Sequence, residues 1–229
     1  MSPKSTDLRS REWFDTPELY GWLRKAAFKA QGFTEESYEN RPIIGICNTW
    51  SQLTHCNAHL RTLAEAVKRG VWQSGGFPLE FPVMSLGEYN MRPTTMIYRN
   101  LMSMDVEESI SANPLDGVVL LGGCDKTTPA LLMGAASSNI PAILVTGGPQ
   151  LKGNWKGEEL GSCTDCRRYH QELRAGTITE DDWSELQNSI VRSPGHCMVM
   201  GTASTMAAMG ESMGTVSYTH LTLPTSDLV

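Results

Sequence analysis

Three reactive side chains lie next to one another in residues 122–129 (GGCDKTTP). The two glycines permit a tight turn, and Thr128 followed by a proline predicts a helix start with the threonine as its N-cap. Cys124, Asp125 and Lys126 would then precede a helix N-terminus, whose partial positive charge lowers thiol pKa values and favours anions. A thiolate, a carboxylate and an amine in this place indicate a metal or catalytic site. The alternative is a buried structural cysteine beside an exposed ion pair.

Two further cysteines occur in the same setting, each close to the start of a predicted helix. Cys56 lies at a helix start, and Cys197 lies in a glycine-flanked turn before a helix. Together with Cys124 they could bind one soft metal centre, because thiolates select zinc or iron–sulfur clusters. They are 68 and 73 residues apart in sequence, which is not the spacing of a compact zinc finger or ferredoxin. Only the fold could bring them together.

A carboxylate, Glu88, follows the second predicted strand. On its own, such a residue is most often a solvated side chain. Beside Asp125 it could bind a hard cation, because Mg²⁺ takes oxygen ligands and retains several waters.

Cys163 and Cys166 form a C-x-x-C pair, a spacing found in redox and zinc sites. No second C-x-x-C accompanies the pair, and it does not lie between a strand and a helix as a thioredoxin motif does. A non-enzymatic thiol- or zinc-binding α/β domain centred on this pair is therefore the alternative function. Dinucleotide binding is disfavoured, because no G-x-G-x-x-G follows the first predicted strand.

The elements that must position these residues alternate between strands and helices. The predicted strands are 42–47, 79–84, 116–121 and 141–146, and the predicted helices are 57–74, 94–111 and 128–138. This alternation predicts the fold class α/β, with a mostly parallel sheet flanked by helices. Pro82 suits an edge strand better than a central one. Ligands bind outside the carboxyl ends of such strands, where Cys56, Glu88 and residues 124–126 all fall.

The segments on either side of this pattern differ in character. The sequence of residues 1–40 predicts a helical arm, with Pro17 in the first turn of its helix. Residues 41–214 form the predicted α/β domain, which contains all of the candidate metal ligands. Its later part comprises a loop at 150–162 and helices at 165–175, 181–192 and 202–213. Thr179 would cap the second of these helices, with Asp182 three residues on.

Composition and charge exclude several classes of protein. The 229-residue chain has 25 acidic and 19 basic residues, a net charge of −6, so it lacks the basic excess of a nucleic-acid-binding protein. No apolar run could span a bilayer, and the N-terminus has no signal-peptide core. We therefore expect no nucleic acid and no membrane as a partner. We also expect a cytoplasmic location, with the six cysteines mostly reduced.

Four segments carry a resemblance to a known family. They are 45–57 (GICNTWSQLTHCN), 81–88 (FPVMSLGE), 123–129 (GCDKTTP) and 195–205 (GHCMVMGTAST). In this order they resemble the dihydroxy-acid dehydratase/phosphogluconate dehydratase family, and most of all its sugar-acid branch, the pentonate dehydratases. The resemblance covers residues 8–214.

The resemblance implies a hydro-lyase that removes water from a 2,3-dihydroxy acid and yields a 2-keto-3-deoxy acid. It implies an Fe–S cluster, usually [2Fe–2S] in the sugar-acid branch and [4Fe–4S] elsewhere, with a Mg²⁺ ion nearby. It also implies that three thiolates, those of Cys56, Cys124 and Cys197, bind the cluster. The implied oxygen ligands of the magnesium ion are Glu88, Asp125 and a carbamylated Lys126. Asp125 and Lys126 are the catalytic residues that it implies within this chain.

The resemblance also implies a substrate and an assembly state. The expected substrate is a small-molecule sugar acid such as L-arabinonate or D-xylonate. The alternative within the family is the dihydroxy-acid dehydratase of branched-chain amino-acid synthesis. Members of the family are usually homodimers or homotetramers, so we expect the same of the full-length protein.

The sequence departs from the family pattern in two places. His55 stands where the family has a proline before the first cluster cysteine. Residues 215–229 (TVSYTHLTLPTSDLV) do not continue the family's helix and look like a frameshift or assembly artefact. The family's chains are more than twice as long, with a β-barrel-like second domain that carries a catalytic serine base. We therefore expect an N-terminal fragment that is inactive alone.

Overall fold

A four-stranded parallel sheet forms the centre of the fold. The structure, a computed structural model, describes residues 8–16 and 19–215, apart from the side chains of residues 162 and 163. The strands are β1 (Ile43–Asn48), β2 (Phe77–Pro82), β3 (Gly117–Gly122) and β4 (Ala142–Thr146). Their order is β2-β1-β3-β4, and every neighbouring pair is parallel. The predicted α/β class, with a mostly parallel sheet flanked by helices, is confirmed.

Helices precede, separate and follow these strands. In the described part of the chain they are α1 (Arg11–Phe14), α2 (Leu19–Ala30), α3 (Glu35–Tyr38), α4 (Leu60–Gln73), α5 (Arg99–Ser111), α6 (Thr127–Ser138), α7 (Ser162–Ala175), α8 (Glu180–Ile190) and α9 (Thr202–Ser212). Short 3₁₀ helices at His55–Asn57 and Thr95–Tyr98 lead into α4 and α5. None of the described helices is long and apolar enough to cross a membrane.

Alternate residues of the strands face two separate layers of helices. On one face, Leu120 packs with Met102 of α5 and Leu131 of α6. On the other face, Leu121 packs with Leu60 of α4. Because helices cover both faces of the sheet, the strands are continuous apolar runs in the sequence, as is typical of buried parallel strands.

A hairpin and two helices follow the sheet, and the structure of this region differs from the prediction. The predicted loop at 150–162 is wrong, because it contains an antiparallel hairpin of β5 (Gly153–Trp155) and β6 (Glu158–Leu160). The hairpin turn has positive φ angles at both Lys156 and Gly157, as a two-residue hairpin loop requires. Buried side chains join this hairpin to α7 and α8: Trp155, Leu160, Tyr169, Leu186 and Ile190.

Aromatic side chains attach the N-terminal arm to the sheet. Phe14 of α1, Phe28 of α2 and Tyr38 of α3 lie against one another with ring centroids 4.3 to 5.4 Å apart. Phe77, the first residue of β2, completes the contact with the sheet. Pro17, which we predict in a first helical turn, lies outside the described residues.

Candidate active site

One cavity lies at the carboxyl ends of the strands. Its volume is about 450 Å³. Its lining includes three thiols, two carboxylates and a phenol: Cys56, Cys124, Cys197, Glu88, Asp125 and Tyr89. Five of these six residues are predicted ligands from segments far apart in the sequence, and the sixth predicted ligand, Lys126, binds both carboxylates. The roles of these residues as ligands remain predictions.

Two tight turns bring the first two thiols together. Cys56 lies in the 3₁₀ helix after β1, Cys124 lies just after β3, and each is 4% exposed. Gly123 stands between the two turns. A Cβ added there would lie 2.9 Å from the carbonyl oxygen of Cys56 and 3.1 Å from Oδ1 of Asn57. The close approach of the two turns therefore requires a glycine at this position.

The third thiol, Cys197, reaches the cavity through backbone pairing with the segment after β4. Pro149 and His196 form an isolated parallel bridge. The Gly195 amide donates a hydrogen bond of 3.3 Å to the carbonyl oxygen of His55, the residue before Cys56. Gly195 itself has a φ of +132°, a conformation that favours glycine.

The thiols differ in their electrostatic surroundings. A hydrogen bond between Cys56 and Cys124 lowers the pKa of Cys124 and raises that of Cys56, which burial raises further. The charge of Cys197 also raises the pKa of Cys56. Cys47 is buried inside the sheet, where burial raises the pKa of its thiol. Cys124 therefore has a lowered pKa, whereas those of Cys47 and Cys56 are raised.

Two carboxylates converge on the amine of Lys126. Its Nζ lies 2.6 Å from Oδ2 of Asp125 and 3.2 Å from Oε1 of Glu88. Burial lowers the pKa of Lys126, but hydrogen bonds to Asp125 and Glu88 outweigh that effect, so its pKa is raised. Thr95 also donates a hydrogen bond to Glu88. In this structure the two carboxylates therefore bracket one positive charge.

The start of α6 differs from the prediction by two residues. Thr128 is not the N-cap, since the helix begins at Thr127 and its N-cap is Lys126, without a capping side chain. The Thr127 hydroxyl instead donates to the carbonyl oxygen of Leu86 at 3.0 Å and accepts from its amide at 3.2 Å. This pair of hydrogen bonds ties the loop that carries Glu88 to the beginning of α6.

Tyr89 and Thr202 also line the cavity, although the sequence did not single them out. Their positions in the sequence could have indicated both residues, since Tyr89 follows Glu88 and Thr202 begins the helix after Cys197. Cys166 of the C-x-x-C pair is not among the cavity residues, and it packs against the buried cluster that contains Trp155 and Tyr169. The side chain of its partner, Cys163, lies outside the described residues.

The thiols and the oxygen donors of the cavity suit two different metals, although these side chains do not converge on a single ion. Among the described residues, no three His, Cys, Asp or Glu side chains are arranged to hold one metal ion. An iron–sulfur cluster is larger than an ion, so its thiolate ligands need not meet at one point. The magnesium set contains only two carboxylates, and its third member is a lysine. Soft thiols beside hard oxygens fit a cluster next to a magnesium ion.

Comparison with known proteins places the chain in a family. The family model described as the N-terminal part of dihydroxy-acid/6-phosphogluconate dehydratases matches residues 41–227. The chain belongs to this dehydratase family. The matched range includes most of residues 215–229, which we interpret as foreign to the family. The structure describes only Thr215 of that segment, and the interpretation remains a prediction.

Relatives in this dehydratase family carry different names. The L-arabonate dehydratase of Azospirillum brasilense is 52% identical over 227 residues, which are 99% of this chain and 39% of the relative. The D-xylonate dehydratase of Caulobacter vibrioides is 44% identical over 209 residues, 90% of this chain and 35% of the relative. The dihydroxy-acid dehydratase of Pyrococcus furiosus is 38% identical over 195 residues, 83% and 35% of the two chains. The chain therefore spans less than two fifths of the length of these relatives.

Proposed function

We propose that this chain forms the cofactor-binding part of a hydro-lyase that converts a 2,3-dihydroxy sugar acid into a 2-keto-3-deoxy acid. The observation that carries the proposal is the cavity at the carboxyl ends of the strands, where three thiols and two carboxylates meet. Membership of a dehydratase family supports the reaction class.

In this proposal Cys56, Cys124 and Cys197 hold an iron–sulfur cluster. Three protein ligands leave a metal position open to a substrate, as in catalytic rather than structural metal sites. The lowered pKa of Cys124 favours the thiolate that ligation requires. We favour [2Fe–2S] over [4Fe–4S] on the family resemblance alone, because three cysteines suit both clusters.

Glu88, Asp125 and Lys126 would hold the magnesium ion. Their two carboxylates already surround one positive charge, the Lys126 ammonium. Carbamylation joins the neutral amine to carbon dioxide with release of a proton, and it would replace this ammonium by an anionic oxygen ligand. Three anionic oxygen ligands would then favour a divalent cation between them.

When bound, the metals would supply Lewis-acid chemistry, with Mg²⁺ on the substrate carboxylate and 2-hydroxyl and iron on the departing 3-hydroxyl. Asp125 and Lys126 are the catalytic residues that we assign to this chain. They precede the N-terminus of α6, whose partial positive charge favours an anionic substrate. The base that removes the C2 proton would be a serine outside these residues, in the further domain that the family resemblance implies.

We propose a small aldonic acid, such as L-arabinonate or D-xylonate, as the substrate. Relatives named for L-arabonate and D-xylonate are more similar to this chain than the dihydroxy-acid dehydratase described above. This difference favours the sugar-acid branch over the branched-chain amino-acid enzyme. A homodimer or homotetramer of the full-length protein is part of the same proposal.

Anaerobic purification with quantification of iron, sulfide and zinc tests the proposal. We expect a brown protein with iron and acid-labile sulfide in equal amounts. Cys124→Ser should lose both, whereas Cys166→Ser, a matched change outside the cavity, should retain them. Bound zinc that Cys166→Ser removes and Cys124→Ser does not would contradict the proposal and favour the thiol- or zinc-binding alternative.

A further inference from the structure

A histidine and a tyrosine link two of the three thiols around the cavity. His55 Nε2 lies 3.7 Å from Sγ of Cys56, and the Tyr89 hydroxyl lies 3.8 Å from Sγ of Cys197. The two rings meet edge to face, with centroids 4.7 Å apart. We propose that His55 and Tyr89 are positioning residues that donate hydrogen bonds to these two sulfurs and thereby raise the reduction potential of the cluster. This inference rests on the proposed function.

Metal ligation decides which atom donates in both contacts. A thiolate bound to iron has no proton to give, so the Tyr89 hydroxyl is the donor to Cys197. For the same reason the donor to Cys56 is Nε2–H of His55, since a neutral imidazole carries its proton on one of its two nitrogens. The cluster would therefore select one tautomer of His55.

The backbone holds both rings close to the ligand segments. His55 immediately precedes Cys56, and its carbonyl oxygen accepts a hydrogen bond from the Gly195 amide of the Cys197 loop. Tyr89 follows Glu88, whose carboxylate interacts with Lys126. Each ring is thus attached to a segment that carries a predicted metal ligand.

Hydrogen bonds to ligating sulfur atoms change the potential of a cluster. They withdraw electron density from the sulfur and stabilise the reduced form, which is the more negative of the two. Loss of either donor should therefore make the cluster harder to reduce. A role in packing alone would leave the potential unchanged, so the potential separates the two explanations.

Tyr89→Phe removes the hydroxyl and keeps the ring that contacts His55. We expect the variant to bind as much iron and sulfide as the unmodified chain. At a fixed potential, the ratio of reduced to oxidised cluster should fall about threefold, or about 28 mV for a one-electron couple. A spectroelectrochemical titration of the chain with its cluster measures this ratio. Tyr98→Phe, which removes a hydroxyl bonded to the Arg92 carbonyl oxygen, is the matched control and should leave the potential unchanged.

Substitutions of His55 test the second donor. His55→Leu should shift the potential in the same direction as Tyr89→Phe, whereas His55→Gln retains an N–H donor and should keep the potential close to its original value. A cluster whose potential is the same with and without the Tyr89 hydroxyl would overturn this inference alone. Absence of iron and sulfide from the unmodified chain would overturn both the inference and the proposed function.

Discussion

Gly123 is the residue at which the turn carrying Cys124 comes closest to the turn carrying Cys56. Gly123→Ala would place a Cβ 2.9 Å from the Cys56 carbonyl oxygen, a backbone atom that cannot rotate away. We expect a loss of stability of about 1–3 kcal/mol, as for other overpacked positions, together with less iron per chain. Urea unfolding and iron quantification measure the two effects.

Gly70→Ala is the matched control for this substitution. Gly70 lies in α4, and a Cβ added there meets no atom within 4 Å. Because alanine is the better helix former, the change should stabilise the chain by up to about 1 kcal/mol. Equal urea midpoints for Gly123→Ala and the unmodified chain would show that the two turns are not closely packed.

Single residues of the candidate site were predictable to different extents. Cys56, Glu88 and Cys124 follow strands of a parallel sheet, so their meeting at one edge follows from the strand pattern. Cys197 reaches that edge by backbone pairing that no local pattern indicates. Tyr89 could not be predicted as a neighbour of Cys197, because the two are separated by 108 residues in the sequence.

Local signals predicted the secondary-structure elements well where the decisive contacts are local. The capping box of α8 is confirmed, since Thr179 and Asp182 are three residues apart and bond to each other. The cap predicted for α6, Thr128, is wrong, because the helix begins one residue before it, at Thr127. The hydroxyl of Thr127 bonds to Leu86, a residue 41 positions away, which no local pattern indicates. The hairpin at 153–160 was missed, because its strands are three residues long and largely polar.

Strand β2 illustrates a prediction that was right in kind and displaced in position. The strand begins at Phe77 rather than Leu79. The Phe77 amide donates to the carbonyl oxygen of Pro42, just before β1, and the Val83 amide donates to that of Asn48, the last residue of β1. At the alternate positions, which include Pro78 and Pro82, the backbone nitrogen therefore points away from β1. Proline has no N–H to leave unpaired there, which agrees with the predicted edge location and blocks pairing with a further strand.

The cap of α8 gives a prediction for stability and its dependence on pH. Thr179→Ala should cost about 1 kcal/mol at neutral pH, as for other N-cap threonines. Hydrogen bonds from Lys156 and Thr179 lower the pKa of Asp182 from its ordinary 3.8 to about 2. Because the pKa of Asp182 is lower in the folded chain, its ionised carboxylate stabilises the fold above about pH 3.8. This stability is lost as the pH falls towards 2. Urea unfolding at pH 7, 4 and 3 should therefore show the difference between the two chains shrinking.

Thr34→Ala serves as the control for this cap. Thr34 is the N-cap of α3, but its side chain makes no capping hydrogen bond. The substitution should have a smaller effect, without the same dependence on pH. A cost for Thr179→Ala that stayed constant from pH 7 to pH 3 would contradict the assigned role of Asp182.

The charge of the whole molecule bears on how it could bind its proposed substrate. The chain has a net charge of −6, and the cavity contains the carboxylates of Glu88 and Asp125. A sugar acid is itself an anion, so these charges would repel it. Bound cations would reverse the local potential, which is consistent with a substrate that binds only after the metals.

The central claim is that three distant cysteines form one metal site at the carboxyl edge of the sheet. Anomalous diffraction at the iron edge, from crystals of the anaerobically prepared chain, tests it most directly. We expect iron peaks among the sulfurs of Cys56, Cys124 and Cys197. Anomalous peaks beside Cys166 on α7, with none in the cavity, would contradict the claim.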